Sequence, residues 1–369
     1  MAEQYFTLKK TAEMFGGLHL KERIEELEEQ GVLPESKRFR SGALFRKGWD
    51  VNEMPLIGEK LGYFKKFDRP LAISVFTTKG GVLKSTLALN IARTAALHGH
   101  KVCVVGLDIQ GDVTTALGFE NDLDNQQDLL EVIEKLNRTK GLSDFFNNQV
   151  RLSETIRPTD LSNLFLIPET PELVALNDSL SNINRREFWL KEKVIDALKE
   201  HFDLVVMDCS PNWNKLTTNA LVACDILVSP LECKINNFRN FKVFRHFLKE
   251  FKDEMRLGFE NIFIPTRYTK NRKLSLDILE WYRANVEGCT EHGVRENISG
   301  EEATALNLSL NEHVPGQEVA KEMRELLKEV HGRIVNYCEF LQNRHVQDND
   351  QAFNYVPPKG EAQRNSWMY

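Results

Sequence analysis

The stretch Lys79-Gly80-Gly81-Val82-Leu83-Lys84-Ser85 constrains this chain more than any other. The apolar run Leu71–Phe76 precedes it, and a helix-forming segment from Ser85 to His98 follows. Strand, glycine-rich turn, lysine–hydroxyl pair and helix, in that order, are the layout of a phosphate-binding loop. Backbone N–H groups of such a turn face phosphate oxygens, and the helix N-terminus adds the positive end of its dipole. In this layout Lys84 reaches the β- and γ-phosphates and the Ser85 hydroxyl holds Mg²⁺, with Thr86 beside it. Thr78 and Leu83 stand where the standard loop has glycines. If position 83 needs a positive φ, leucine costs about 1–2 kcal/mol there. If it is already helical, leucine costs little and turns away from the nucleotide. Retention of both lysines and the hydroxyl favours the helical expectation.

Downstream of Leu71, apolar runs alternate with helical stretches. Lys101–Leu107, Leu164–Ile167, Asp203–Met207, Asp225–Ser229 and Ile262–Ile264 read as buried strands, with helices such as Phe238–Phe251 between them. Near-continuous apolar strands of this kind imply an α/β fold, a mainly parallel sheet covered by helices on both faces. Its ligands bind beyond the carboxyl ends of the strands. Gln317–Asn343 reads as one amphipathic helix with Val319, Met323, Leu326, Val330, Ile334 and Leu341 on a stripe that packs on the core. The expected organisation is a small helical unit over 1–65, a phosphate-loop α/β domain over 66–345, and a structureless polar tail over 346–369; the resemblances given below make the first winged-helix-like and DNA-binding and the second an ATPase domain. Tyr63–Pro70 reads as a linker.

The net charge is −6, so any nucleic-acid contact must come from local basic patches. The six scattered cysteines form no C-x-x-C pair and read as reduced core thiols of a cytoplasmic protein. The polar start lacks a signal-peptide core, and no apolar run approaches the roughly 18–20 residues that span a bilayer.

Two strands close with carboxylates. Asp108 ends Val105-Gly106-Leu107-Asp108, and Asp208 ends Val205-Val206-Met207-Asp208. Phosphoryl transfer needs a carboxylate near Mg²⁺ and a group that orients the attacking water. Asp208 suits the first role, through a metal-bound water, and Asp108 the second.

These segments together resemble the ParA-type partition ATPases, within the wider group that includes MinD. That family's KGGVGKT loop is KGGVLKS here, and the lysine before the glycine pair, Lys79, marks its deviant loop. The family's DxDPQGNAT segment aligns with Gly106–Thr114, its DCPP with Asp208-Cys209-Ser210-Pro211, and its LTLNAL with Leu216–Leu221. The resemblance covers roughly residues 71–335. It implies Mg²⁺-dependent ATP hydrolysis, catalytic roles for Lys79, Lys84 and Asp108, and Ser85 and Asp208 at the metal. Nucleotide contacts fall to Lys79, Gly80, Gly81, Val82, Leu83, Lys84, Ser85 and Thr86, with Asn219 and Arg267 on the adenine side by family position. It further implies an ATP-bound sandwich homodimer in which Lys79 reaches the partner's phosphates, non-specific nucleoid DNA binding, and release stimulated by a ParB-like centromere-binding protein. Gly106 departs from the family by lacking the first aspartate of its pair, and Ile109 replaces a proline expected to stiffen the turn.

The N-terminal unit resembles a MerR-like winged helix, with Leu20–Gln30 as recognition helix and Lys37–Lys47 as a basic wing tipped by Gly42. Arg38, Arg40 and Arg46 would then meet DNA phosphates, for autorepression; the alternative is a solvated helical cap. Lys270, Arg272 and Lys273 offer a second DNA surface or an ordinary charged loop. Rival functions are a membrane-oscillating MinD-like ATPase, an iron–sulfur electron carrier and a transcriptional regulator with a weakened ATPase. The first needs a basic amphipathic tail helix and the second a cysteine pair at a dimer axis. Neither feature is present in the sequence.

Overall fold

The computed structural model describes residues 4–41, 44–119 and 139–353. Its framework is an eight-stranded sheet built from β4 (Leu71–Val75), β5 (Val102–Leu107), β6 (Arg157–Pro158), β7 (Leu164–Ile167), β8 (Leu204–Cys209), β9 (Ile226–Glu232), β10 (Glu260–Tyr268) and β11 (Val294–Arg295). Their order across the sheet is β11-β10-β9-β4-β8-β5-β7-β6. Every pairing is parallel except that of the edge strand β6 with β7. Both faces are buried, which is why these strands read as unbroken apolar runs. Alternate side chains serve opposite faces. Ile73, Val104, Val206 and Val228 join one core, whereas Ala72, Cys103, Val205 and Leu227 join the other. The six cysteines are free and buried.

β4 lies inside the sheet, with β9 on one side and β8 on the other. The chain leaves it for the loop at 76–83 and enters helix α4 (Lys84–Leu97). This is the crevice between diverging strand connections where such sheets bind ligands.

The N-terminal unit is a three-stranded antiparallel sheet, β1 (Tyr5–Thr7), β3 (Leu44–Asp50) and β2 (Lys37–Ser41), in the order β1-β3-β2. Helices α1 (Leu8–Phe15), α2 (Lys21–Glu29) and α3 (Met54–Leu61) pack with it. Thr7 caps α1 by accepting from Lys10 N, and the helix stops at Gly16. The β2–β3 hairpin covers the basic stretch read as a wing; Gly42 lies outside the described residues. α2 is not basic. It carries Glu22, Glu25, Glu26, Glu28 and Glu29 against Lys21 and Arg23.

Tyr63–Pro70 is not the tether the sequence suggested. Phe64 is buried against the rings of Phe67, His98, His100 and His331. The Lys65 carbonyl meets ring nitrogens of His100 at 3.1 Å and His331 at 2.8 Å. α3 also lies directly on α4: a Cβ on Gly58 would strike the Leu97 carbonyl, and one on Gly62 would strike His98. Phe6, Met14, Phe15 and Ile57 therefore belong to the same apolar core as Leu87, Ile91 and Leu97.

Further helices are α5 (Asp112–Ala116), α6 (Lys215–Ala223), α7 (Ile235–Met255), α8 (Lys273–Asn285), α9 (Ile298–Ala305), α10 (Leu310–His313) and α11 (Glu318–Phe353). In α11, Val319, Met323, Leu326, Val330 and Ile334 are buried as the stripe predicted, with Leu341 half-buried. The helix passes residue 346, where a structureless tail was expected to begin, because neither glycine nor proline occurs between Gly332 and Pro357. Residues 354–369 lie outside the described residues.

Candidate nucleotide site

The loop leaves β4 buried and emerges at Thr78. Lys79, Gly80 and Gly81 are exposed, Val82 is buried, and Lys84 is buried at the start of α4. Gly81 has φ 70° and Leu83 has φ 72°, ψ 31°. Leu83 is thus left-handed, and the helical expectation for it is overturned. The chain must reverse here to aim α4 back across the sheet, a turn that favours glycine. Leu83 is held there by half-burial against the core, and its carbonyl accepts from Leu87 N at 3.0 Å. No side chain caps the α4 N-terminus. Its first N–H groups are thereby left for an anion.

Asp208 sits at the end of β8, opposite Val75 of β4 and Gly106 of β5. It is fully buried, and neither carboxylate oxygen has a hydrogen-bond partner. Burial pushes its pKa up to about 7, with the neighbouring Ser85 hydroxyl and Lys84 charge opposing the shift. An orphaned carboxyl beside a serine hydroxyl is an oxygen donor set that would suit Mg²⁺. Among the described residues no three His, Cys, Asp or Glu side chains form a ready-made metal cluster.

Asp108 is buried just past β5. Its carbonyl accepts from Gly111 N at 3.1 Å and its Oδ1 from Gln110 N at 3.2 Å. These bonds, with Gly111 at φ 74°, shape the turn into α5 without a proline; Ile109 is exposed.

One acidic side chain went unread in the sequence. Glu169, just past β7, is buried, and its Oε2 accepts from both the backbone N–H (2.9 Å) and the hydroxyl of Thr114. Its Oε1 has no partner. Burial, and then the charge of Asp208, raise its pKa to about 8.

Beside the α4 N-terminus, Leu83, Thr86, Thr115, Arg267, Glu296 and Asn297 help line a cavity of about 400 Å³. Arg267 donates from Nη1 to the Gly81 carbonyl at 2.6 Å and from Nη2 to Glu296 at 2.9 Å, so it joins the loop to the strand β10 side. Asn219 does not line this cavity. Its amide oxygen accepts from Leu190 N, and its nitrogen donates to the Arg186 and Lys215 carbonyls. The family position suggested an adenine contact; instead every polar atom of that side chain ties α6 to the 186–190 segment.

Of the basic candidates, Arg38, Arg40 and Arg46 are exposed on the β2–β3 hairpin. Arg272 and Lys273 are exposed at the start of α8, whereas Lys270 is held by Glu318 at 2.8 Å and Glu322 at 3.2 Å. A basic face missed in the sequence lies on α7, where Arg239, Lys242, Arg245 and Lys249 are exposed. Their helical spacing was the available signal.

Residues 71–260 match the family model AAA_31, an AAA domain, which is more than half of the 369 residues. The chain belongs to the AAA_31 family. Its relatives are of the ParA type. It is 32% identical over 162 residues to the chromosome partitioning protein ParA of Myxococcus xanthus, covering 44% of this chain and 52% of that protein. It is likewise 32% identical over 162 residues to the sporulation initiation inhibitor protein Soj of Bacillus subtilis, covering 44% and 58%. The match thus spans little more than half the length of these relatives. In fold, it is similar to the ATP complex of a Cyanothece McdA variant, with a TM-score of 0.60 at 18% identity over 72% of this chain and 97% of that one. A plasmid partition protein from Borrelia burgdorferi gives a TM-score of 0.54 at 22% identity over 72% and 99%. No described helix is long and apolar enough to cross a membrane.

Proposed function

We propose that this ParA-type chain is a Mg²⁺-dependent partition ATPase that turns ATP over slowly at the Lys79–Thr86 loop. Asp208 carries the reading. A fully buried carboxyl with two orphaned oxygens next to Ser85 and Lys84 is expensive unless a ligand completes it. The free N–H groups of α4 cradle the phosphates, Lys84 neutralises the β- and γ-oxygens, and Ser85 and Asp208 hold the metal's shell. Mg²⁺ supplies charge neutralisation on the phosphates. Asp108 orients the attacking water. The cavity flanked by Arg267 takes the base and ribose. Arg267 is engaged with Gly81 and Glu296, so it is not free to stabilise the transition state, which keeps turnover slow.

The exposed Lys79 reaches the partner's phosphates in an ATP-bound homodimer. That dimer binds nucleoid DNA without sequence preference through the α7 face with Arg272 and Lys273, and a ParB-like partner stimulates hydrolysis and release. In the N-terminal unit, the wing rather than the acidic α2 carries phosphate contacts through Arg38, Arg40 and Arg46. Such contacts would weaken steeply with salt.

The test is Lys84→Ala against wild type, in ATP affinity, turnover and ATP-dependent dimerisation by size-exclusion chromatography. We expect all three to be lost in the variant. Equal affinity and turnover would remove the loop from the mechanism.

A further inference from the structure

Gly106 and Glu169 form a complementary pair in space. Gly106 lies on β5 directly opposite Asp208 of β8. A Cβ built on Gly106 would collide with both Cγ and Cδ of Glu169. The carboxyl group of Glu169 therefore occupies the volume into which any side chain at position 106 would project. Glycine at 106 is what admits it.

The surroundings give Glu169 something to do there. One oxygen receives the N–H and O–H of Thr114, in the first turn of α5, the helix that follows the Asp108–Gly111 turn. Glu169 N in turn donates to the Thr114 hydroxyl at 2.9 Å. The second oxygen is orphaned within a side chain more than nine-tenths buried. A purely structural glutamate would have both oxygens satisfied, or would be replaced at no loss by an apolar residue. This one ties α5 and the turn before it to the end of β7, and its second oxygen is left without a partner.

We propose that Glu169 is a positioning residue of the nucleotide site, placing from just past β7 a carboxyl group in the volume that Gly106 leaves open opposite Asp208, and holding the Asp108–Thr114 segment to the end of β7. The inference rests on the nucleotide-site reading above. It differs from that reading in predicting that the carboxylate can be moved. Aspartate at 106 with alanine at 169 would restore an acid to the same volume from the neighbouring strand.

The experiment compares wild type, Glu169→Gln, Glu169→Ala, Gly106→Asp and the double variant Gly106→Asp/Glu169→Ala. Affinity for a fluorescent ATP analogue is measured at pH 8 with Mg²⁺ and with EDTA, and Tm is recorded without nucleotide. Loss of an outer-sphere partner typically weakens metal affinity 10- to 100-fold. We expect Glu169→Gln, close to isosteric, to keep its Tm and to lose about 10-fold of the affinity gained from Mg²⁺, with little change in EDTA. Gly106→Asp should lower Tm, because it collides with Glu169. The double variant should recover both Tm and most of the Mg²⁺-dependent gain. If Glu169→Gln keeps the full Mg²⁺ gain, or if the double variant binds no better than Glu169→Ala alone, Glu169 is a filler and the inference fails by itself. If wild type binds no nucleotide, the nucleotide-site reading falls and takes the inference with it.

Discussion

Position 83 offers a test whose sign, not only its size, is diagnostic. Leu83 has φ 72° at the start of α4. A side chain in that region costs about 1–2 kcal/mol, which glycine avoids. Glycine is opposed by the extra freedom of the unfolded chain, about 0.5–1 kcal/mol. The balance leaves glycine ahead of alanine by about 0.5–1 kcal/mol. Both Leu83→Gly and Leu83→Ala also forfeit the half-buried leucine side chain, about 1 kcal/mol in either case, so this loss cancels between them. At an ordinary helical position the order would be reversed, with alanine ahead by about 1 kcal/mol. Urea unfolding of the two variants without nucleotide, at matched m-values, separates the cases. Alanine the more stable of the two would refute the left-handed loop and reinstate the helical geometry.

Two further perturbations probe the scaffold around the site. Arg93 is fully buried and makes paired bonds to both Glu312 (2.7 Å) and Asp160 (2.8 Å), so Arg93→Met strands buried Glu312 and should cost about 3–5 kcal/mol in urea unfolding; a loss under about 1 kcal/mol would show the network carries little. Burial lowers the pKa of His98 to about 3, while the unfolded chain titrates near 6.5. Stability from keeping this ring neutral is therefore complete above pH 6.5 and lost as pH falls, by about 2 kcal/mol at pH 5. Asp208 and Glu169, with raised pKa values, titrate in the opposite sense over the same range, so the measure is the difference between wild type and His98→Asn at pH 7 and pH 5. A pH-independent difference would contradict the buried neutral ring.

The parallel sheet was legible because its strands are buried on both faces and therefore apolar without interruption. The placement of Lys84 and Ser85 at the start of a helix, and of Asp108 and Asp208 at strand ends, was legible because such turns have fixed local spacing. The rest depended on contacts between segments distant in sequence. Glu169 follows a short strand with no motif around it, and only the emptiness above Gly106 gives it meaning. Asn219 sits within a matching motif, yet its amide bonds are settled by the 186–190 segment that happens to fold over it. The dihedral of Leu83 is imposed by the reversal into α4, which residue type alone argued against. Tyr63–Pro70 read as a linker, but its aromatic residues pack on His98 and His100 just past α4 and on His331 of α11.

α4 has one more property. Its 14 residues form a rod about 21 Å long. The loop at one end is where phosphates would bind, and at the other Leu97 and His98 abut Gly58 and Gly62 with no space for even a methyl group. The rod is stiff, and the joint at its far end has no slack. α3 is thus seated on the far end of α4 with no gap between them. The N-terminal helices and α4 therefore share one packed joint, at the end of the rod opposite the loop.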